Sequence, residues 1–239
     1  MISLLVEQIK LDRYKLKNSV MNLYDRIAED VDSVYVDEPV KDIERVHLYF
    51  VYHGMNEIFH QIMMCNLYFN SAKHVLPFVS NYLSYDPLHL KQRKLGVGVP
   101  PHTLMPHILR NRQGKIVIGF VSKFLVINHA HGQLLEGVIK HLDRNIFYVV
   151  ALAIPNPQNI LLPSIENSAD YIVRLPFALK EVRSIISDLK LDILVFADML
   201  SEPLTYFMGL GSRMAPIQCL FWGNPITSGT PDNIDYFIT

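Results

Sequence analysis

Apolar residues recur through the first 93 residues at roughly the spacing of helical turns, with charged side chains between them. The pattern is clearest from Leu4 to Ile27, where leucines, isoleucines and valines are separated by residues such as Lys and Asp. This period collects the apolar side chains on one face of an α-helix. Residues 1–93 are therefore predicted to form a helical region.

A basic segment rich in Pro and Gly follows, between Lys91 and Gly114. Both residue types interrupt regular structure and are typical of connections between folded units. We predict a linker over residues 94–114 and a second folded unit over residues 115–239.

The pattern changes at Lys115, where short apolar runs begin to alternate with helix-like stretches. The first run, 115–121, is a continuous β-branched series of the kind found in strands buried on both faces. Further strands are predicted at 147–154, 170–175, 191–197, 217–222 and 234–239, and helices at 132–142, 178–189 and 203–213. This alternation is typical of α/β folds, and it predicts a Rossmann-like parallel sheet.

Composition agrees with a buried sheet, since 50% of the residues are hydrophobic and only 19% are charged. The formal net charge of −1 is balanced. A balanced charge argues against the basic surface that nucleic acids require, so no nucleic-acid partner is expected.

Cysteine usage and the first residues bear on the compartment. Cys65 and Cys219 are isolated, with no CxxC neighbour, which favours a reducing environment. The start of the chain lacks the basic n-region of a signal peptide, and no apolar window approaches the length of a membrane helix. We expect a soluble protein with no membrane partner, located in the cytoplasm, with the nucleus as the alternative.

Candidate chemistry lies in the loop after the first predicted strand, because ligands of open α/β sheets bind at the carboxyl ends of the strands. This loop contains Asn128, His129 and His131 just before Gly132, and it is not a G-x-G-x-x-G loop. His129 can serve there as a general base, a hydrogen-bond donor or an anion contact. A loop histidine satisfied by backbone carbonyls is the alternative. A metal site is disfavoured because no Cys or carboxylate completes the pair of histidines.

Two further positions follow strand ends. Asp198 can contact a hydroxyl in the crevice or cap the next helix, and the cap is favoured because Asp is a strong N-cap. Thr227, Ser228 and Gly229 can present amides and hydroxyls to an anion, or form a plain turn.

Three sequence blocks resemble the O-GlcNAc transferase family. Met214–Gly229, followed by Ile234–Ile238, is similar to the family's R-x-A-P-I-Q-x-x-W-x-G-x-P-x-T-S-G and I/M-D-Y. Ile118–His129 is similar to G-Y-V-S-S-x-F-x-N-H, and Tyr49–Asn56 to F-Y-L-x-Y-Q-G-x-N. The blocks occur in the family's order and span roughly residues 46–239.

The resemblance implies the N-terminal catalytic lobe of a GT-B glycosyltransferase. Such enzymes move a sugar, usually N-acetylglucosamine, from a UDP donor to Ser or Thr hydroxyls of proteins, with inversion and without a metal or other cofactor. His129 would be the active-site histidine. The residues implied to bind substrate are Asn128, Gly223, Asn224, Pro225, Thr227, Ser228 and Gly229.

Some positions depart from the family pattern. Asn224, Ile226 and His53 stand where many members carry other residues, and Asp192 stands where some carry a histidine. The C-terminal lobe that supplies most UDP contacts in the family is not found in these residues. We therefore expect this chain alone to be inactive and to need that lobe or a partner subunit.

The sequence is compatible with other functions. A non-catalytic interaction or scaffold protein derived from a truncated transferase is the alternative function. A Rossmann-like dehydrogenase or methyltransferase is disfavoured, because the first strand is not followed by a Gly-rich turn.

Overall fold

The computed structural model of the chain describes residues 2–30, 36, 38–42, 58–71, 114–127, 129–156, 160–199, 201–211, 213–221, 229 and 233–238. The helices in these residues are α1 Ile2–Glu29, α2 Pro39–Asp42, α3 Ile58–Ser71, α4 Ala130–His141, α5 Pro163–Ser168, α6 Leu179–Leu189 and α7 Pro203–Gly211. The strands are β1 Ile116–Ser122, β2 Phe147–Ala153, β3 Tyr171–Arg174, β4 Ile193–Phe196, β5 Ile217–Phe221 and β6 Tyr236–Ile238.

The strands form one six-stranded sheet in the order β3-β2-β1-β4-β5-β6. All five neighbouring pairs are parallel. The predicted α/β class and Rossmann-like sheet are thus confirmed. The order moves outward in one direction from β1 to β3 and in the other from β4 to β6, so the topological switch point lies between β1 and β4.

Alternate side chains of the strands β1 to β5 enter two separate hydrophobic clusters, as the pleat requires. In β1, Val117 and Val121 belong to one cluster, and Ile118 and Phe120 to the other. Helices α6 and α7 cover the first cluster, whereas α4 and α5 cover the second. The sheet is therefore a doubly wound one with helices on both faces.

The predicted strands and helices match the observed ones within a few residues, but the short helix α5 was not predicted. Its six residues contain one buried side chain, Ile165, which gives no helical period. Most of the predicted linker, residues 94–113, lies outside the described residues, and the division into a helical region and a second unit stays a prediction. Among the described helices, none is long and apolar enough to cross a membrane.

Helix α3 packs directly against the sheet layer. The ring of Tyr68 lies 6.3 Å from that of Tyr206 and 6.4 Å from that of Phe207. Close by, the thiol of Cys65 is hydrogen-bonded to the hydroxyl of Tyr206 at 3.0 Å. Burial raises the pKa of Cys65 to about 12, so this thiol stays protonated. These contacts place α3 in the same hydrophobic cluster as α7.

A buried arginine joins α6 to α7. Arg183 is fully buried and donates hydrogen bonds from Nη2 to the carbonyls of Phe207 and Met208, at 2.6 and 3.4 Å. Both carbonyls lie near the C-terminal end of α7, and that of Met208 is among the last four, which have no partner within a helix. A cation at that end also complements the helix dipole.

We predict that Arg183→Met lowers the free energy of unfolding by about 1–3 kcal/mol, because buried carbonyls lose their donor. Urea unfolding of both proteins measures this loss. Arg174→Met is the matched control, since Arg174 is exposed and pairs with exposed Glu166. Such surface pairs contribute about 0–1 kcal/mol. Equal losses in the two variants would contradict the capping role of Arg183.

Candidate functional site

The carboxyl ends of β1 and β4 meet at the switch point of the sheet. Strand β1 ends at Ser122, and the chain reaches Asp198 two residues after the end of β4. In open parallel sheets, ligands bind in the crevice outside this edge. The loop from β1 to α4 therefore lies at the expected place for a site.

This loop folds back tightly on the first turn of α4. A β-carbon on Gly132 would lie 2.4 Å from the carbonyl oxygen of Phe124 and 2.8 Å from that of Val126. The loop is also tied to the segment before α5, because Ile127 N–H donates to Ile160 and Leu162 N–H donates to Leu125, at 3.2 and 3.1 Å. Gly132 thus allows a close approach of backbone that no side chain would permit.

His129 occupies the N-cap of α4. Its backbone is extended, with φ −121° and ψ 130°, and its Nδ1 accepts a hydrogen bond from the N–H of His131 at 3.3 Å. Because Nδ1 accepts, the neutral ring carries its proton on Nε2. Burial lowers the pKa of His129, so the neutral form prevails at neutral pH. The ring therefore offers Nε2–H as a hydrogen-bond donor.

Three rings stack at this point. Phe124 lies parallel to His129, with ring centroids 4.0 Å apart and planes within 6°. His131 stacks at 5.3 Å from His129 and 5.8 Å from Phe124. Burial and the neighbouring His129 lower the pKa of His131. Within the described residues its Nδ1 is buried without a hydrogen-bond partner, and no group of three or more potential metal-ligating side chains occurs.

Asp198 does not cap a helix, and the favoured prediction for it was wrong. Its Oδ2 accepts from the N–H of Lys123 at 2.7 Å and from the hydroxyl of Ser122 at 3.1 Å. Helix α7 begins only at Pro203, and its first turn is held instead by Glu202, whose Oε2 accepts from Thr205 N–H at 2.9 Å. Asp198 thus holds the end of β1.

The environment of Asp198 opposes its ionisation. Burial raises the pKa of Asp198 to about 7, and the negative charge of Glu202 also raises it. Hydrogen bonds from Lys123, Ser122 and Thr205 lower the pKa but do not cancel the effect of burial. The ammonium group of Lys123 pairs with Glu202, with Nζ 3.7 Å from Oε1. The carboxyl edge at β1 and β4 therefore contains a buried acid that titrates near neutral pH.

Two described polar residues of this part of the chain, Arg213 and Gln218, link β5 to the start of β6. Arg213 binds both oxygens of Asp235 at 2.7 and 2.8 Å, and Gln218 N–H donates to Asp235 at 2.8 Å. The Gln218 side chain accepts from Met214 N–H and donates to the carbonyl of Asn233. Although burial alone would raise the pKa of Asp235, the hydrogen bonds and the charge of Arg213 lower it. These motif residues fasten β6 to β5 at the amino edge of the sheet.

Most residues predicted to bind substrate lie outside the described residues, namely Asn128, Gly223, Asn224, Pro225, Thr227 and Ser228. Gly229 is described and buried, with φ +68°. A β-carbon there would lie 2.7 Å from Cys65 Sγ and 3.0 Å from the carbonyl oxygen of Gln61, so the position is held against α3. Its role in binding stays a prediction.

Asp192 lies at the opposite, amino edge of the sheet. Its Oδ2 accepts from Val117 N–H at 2.8 Å, and its own N–H donates to the Val117 carbonyl at 2.8 Å. Asp192 is therefore a structural residue that fixes the start of β4 beside β1. Its position explains why no role in the crevice can be assigned to it.

A cavity of about 240 Å³ continues the carboxyl edge beyond the β1–α4 loop. Its lining consists of Val126, Ala153, Ile154, Pro155, Leu161 and Arg174. The cavity is apolar, with a single cation, and lies at the ends of β2 and β3. It is smaller than the pockets of roughly 300–1,000 Å³ that hold drug-sized ligands.

Comparisons with known proteins give little further information. No family model matches the chain, and no curated protein matches it. Among solved structures, a mutant O-GlcNAc transferase from Thermobaculum terrenum is similar at 20% identity and a TM-score of 0.47. The similarity covers 91% of this chain and 42% of that one, so the chain spans less than half the length of that protein.

We predict that Gly132→Ala destabilises the protein by about 1–3 kcal/mol, because the new methyl group meets two backbone carbonyls. Gly137→Ala is the matched control on the same helix, since a β-carbon there meets nothing within 4 Å. The control should be more stable by about 0.5–1 kcal/mol. Urea unfolding measures both changes, and a tolerated Gly132→Ala would contradict the close approach.

The raised pKa of Asp198 predicts a pH dependence of stability. The folded state binds the proton of Asp198 more tightly than the unfolded state does. The stabilisation that this proton gives the folded state is therefore complete below about pH 4 and is lost as the pH rises through about 7. Asp198→Asn removes this loss. The stability of the variant relative to the native protein should therefore improve by roughly 1–4 kcal/mol between pH 4 and 8.

Urea unfolding across that pH range tests the prediction, with Asp192→Asn as a control for losing a buried carboxylate bonded to a β1 amide. The prediction fails if the difference in the free energy of unfolding between Asp198→Asn and the native protein stays constant with pH.

Proposed function

We propose that the chain is the acceptor-side lobe of a GT-B glycosyltransferase. It would transfer a sugar, N-acetylglucosamine, from a UDP donor to Ser or Thr hydroxyls of proteins. The observation that carries the proposal is His129, a neutral hydrogen-bond donor at the carboxyl edge of the sheet next to the switch point. The choice of sugar transfer as the reaction rests on the three sequence blocks that resemble the O-GlcNAc transferase family.

The geometry of His129 favours orientation of an oxygen over removal of a proton. Its Nδ1 is engaged by the N-cap hydrogen bond, so Nε2 carries the proton of the neutral ring. A general base would need a free lone pair on the exposed nitrogen. In our proposal, Nε2–H donates to an oxygen of the sugar or of the acceptor and holds the two reactants in line.

The proposed reaction is an inverting displacement. The acceptor oxygen forms a bond to the anomeric carbon, the bond from that carbon to the β-phosphate oxygen breaks, and UDP and one proton are released. Asn128 and the segment containing Gly223, Asn224, Pro225, Thr227, Ser228 and Gly229 are proposed to line the sugar and acceptor. No cofactor besides the donor is part of this scheme.

The donor nucleotide is assigned to a second lobe or to a partner subunit. Among the described residues, one lysine lies at the crevice. It is Lys123, and its Nζ lies 3.7 Å from Glu202 Oε1. A diphosphate needs several donors of the kind found at helix N-termini or on arginines. At α4, the ring of His129 already accepts from one of the first amides. This lobe is therefore proposed to contact mainly the sugar and the acceptor.

We expect NMR titration of the isotope-labelled protein with UDP-N-acetylglucosamine to shift signals of residues 123–131 with millimolar affinity, and UDP alone to shift them less. His129→Ala should weaken the sugar-dependent response about fivefold, which corresponds to one hydrogen bond of about 1 kcal/mol. His141→Ala is the matched control, because His141 is exposed at the end of α4 and bonds only to the carbonyl of Gly137 among the contacts described.

The same titration separates the alternatives. A scaffold protein would show no sugar-dependent shifts and would be indifferent to His129→Ala, and either result would contradict the proposal. Shifts with NADH, absent with UDP-N-acetylglucosamine, would favour a dehydrogenase instead.

A further inference from the structure

Two buried aspartates bind backbone amides at the opposite ends of β1, one near the start of the strand and the other directly after it. Asp192 accepts from Val117 N–H at the amino edge, and Asp198 accepts from Lys123 N–H at the carboxyl edge. The distances, 2.8 and 2.7 Å, are nearly equal. The two side chains therefore anchor β1 in the same way, but only Asp198 lies on the edge that carries His129.

Asp198 also fixes the turn that begins the β1–α4 loop. The Ser122 hydroxyl donates to Asp198 Oδ2 at 3.1 Å and accepts from Phe124 N–H at 2.8 Å. Three consecutive residues, 122 to 124, are thus held by one carboxylate, either directly or through a single hydroxyl. This arrangement leaves the backbone of Phe124 little freedom to move.

Phe124 in turn determines the plane of the His129 ring. The two rings are parallel within 6° at a centroid distance of 4.0 Å, so one face of the imidazole is covered. The N-cap hydrogen bond to His131 N–H constrains the same ring at Nδ1. Together, these contacts determine where Nε2 points.

A neutral side chain could accept the same hydrogen bonds at the end of β1 without the free-energy cost of burying a charge. Asp198 is fully buried, and within the described residues its Oδ1 has no hydrogen-bond partner. Burial of a carboxylate without full compensation costs stability. Groups that destabilise the fold in this way are concentrated at functional sites. We propose that Asp198 is a positioning residue that sets the orientation of His129 through Ser122 and Phe124.

This inference rests on the proposed function, in which His129 is the residue that touches substrate. Among the described residues, the charged groups near Asp198 are Lys123 on the loop and Glu202 before α7, and the titratable rings of His129 and His131 lie at the N-cap and in the first turn of α4. Protonation of Asp198 weakens its hydrogen bonds to Lys123 and Ser122, since a charged acceptor binds donors more strongly than a neutral one. His129 should therefore sense the protonation of Asp198.

The test is an NMR pH titration of histidine-labelled protein, which reads the imidazole of His129 without any substrate. In the native protein the His129 signals should show a second inflection near pH 7, in addition to their own titration. Asp198→Asn should abolish that inflection and raise the pKa of His129 toward its ordinary value as the ring becomes more exposed. Ser122→Ala should raise that pKa in the same direction while Asp198 stays in place.

Two further variants complete the series. Phe124→Leu removes the stacked ring and should raise the pKa of His129 at least as much as Asp198→Asn. Asp192→Asn is the matched control, which loses an equivalent bond to β1 at the other edge and should leave the His129 signals unchanged. If Asp198→Asn does not fold, the proposal is still tested by the pKa of His129 in Ser122→Ala and by the second inflection of the His129 signals in the native protein.

The proposal is overturned if the native His129 signals lack the second inflection and Ser122→Ala leaves them unchanged. It is also overturned if Asp192→Asn moves them as much as Asp198→Asn. Failure of the proposed function gives a different result, because His129 would then respond to Asp198 but not to UDP-N-acetylglucosamine.

Discussion

The pairing of β1 with β4 is the constraint on which the rest of the structure depends. Strand β1 has a strand on each side, β2 and β4, and the chain reaches β4 only after building β2 and β3 on the far side. The crossover reverses the direction in which strands are added and creates the crevice at their carboxyl ends. Asp192 and Asp198 hold β1 beside β4 at both edges of the sheet.

The crevice takes its chemical character from the loop that leaves β1. Gly132 lets this loop pass against the first turn of α4, and the stacked Phe124 covers one face of His129. The N-cap hydrogen bond then settles which ring nitrogen holds the proton. Of the three roles that the sequence left open for His129, the geometry favours the hydrogen-bond donor.

The alternation of strands and helices was predictable because each buried strand is a short run of β-branched and apolar residues. Polar loops do not contain such runs, so the strands stand out in the sequence. Helix α5 was missed because one turn and a half, with Ile165 alone buried, has no period to detect. Arg213 forms a bidentate pair with Asp235, 22 residues later, and no local sequence pattern shows this tertiary contact.

The sequence by itself determined the order and type of the elements and the position of His129 just after β1, since these follow from local residue patterns. Only the tertiary structure decided the roles of the side chains, because each role depends on groups distant along the chain. Asp198 was predicted to cap a helix on local grounds, yet its partners Ser122 and Lys123 lie about 75 residues away. Hydrogen bonds across adjacent strands depend on strand order and register, which a local pattern does not contain.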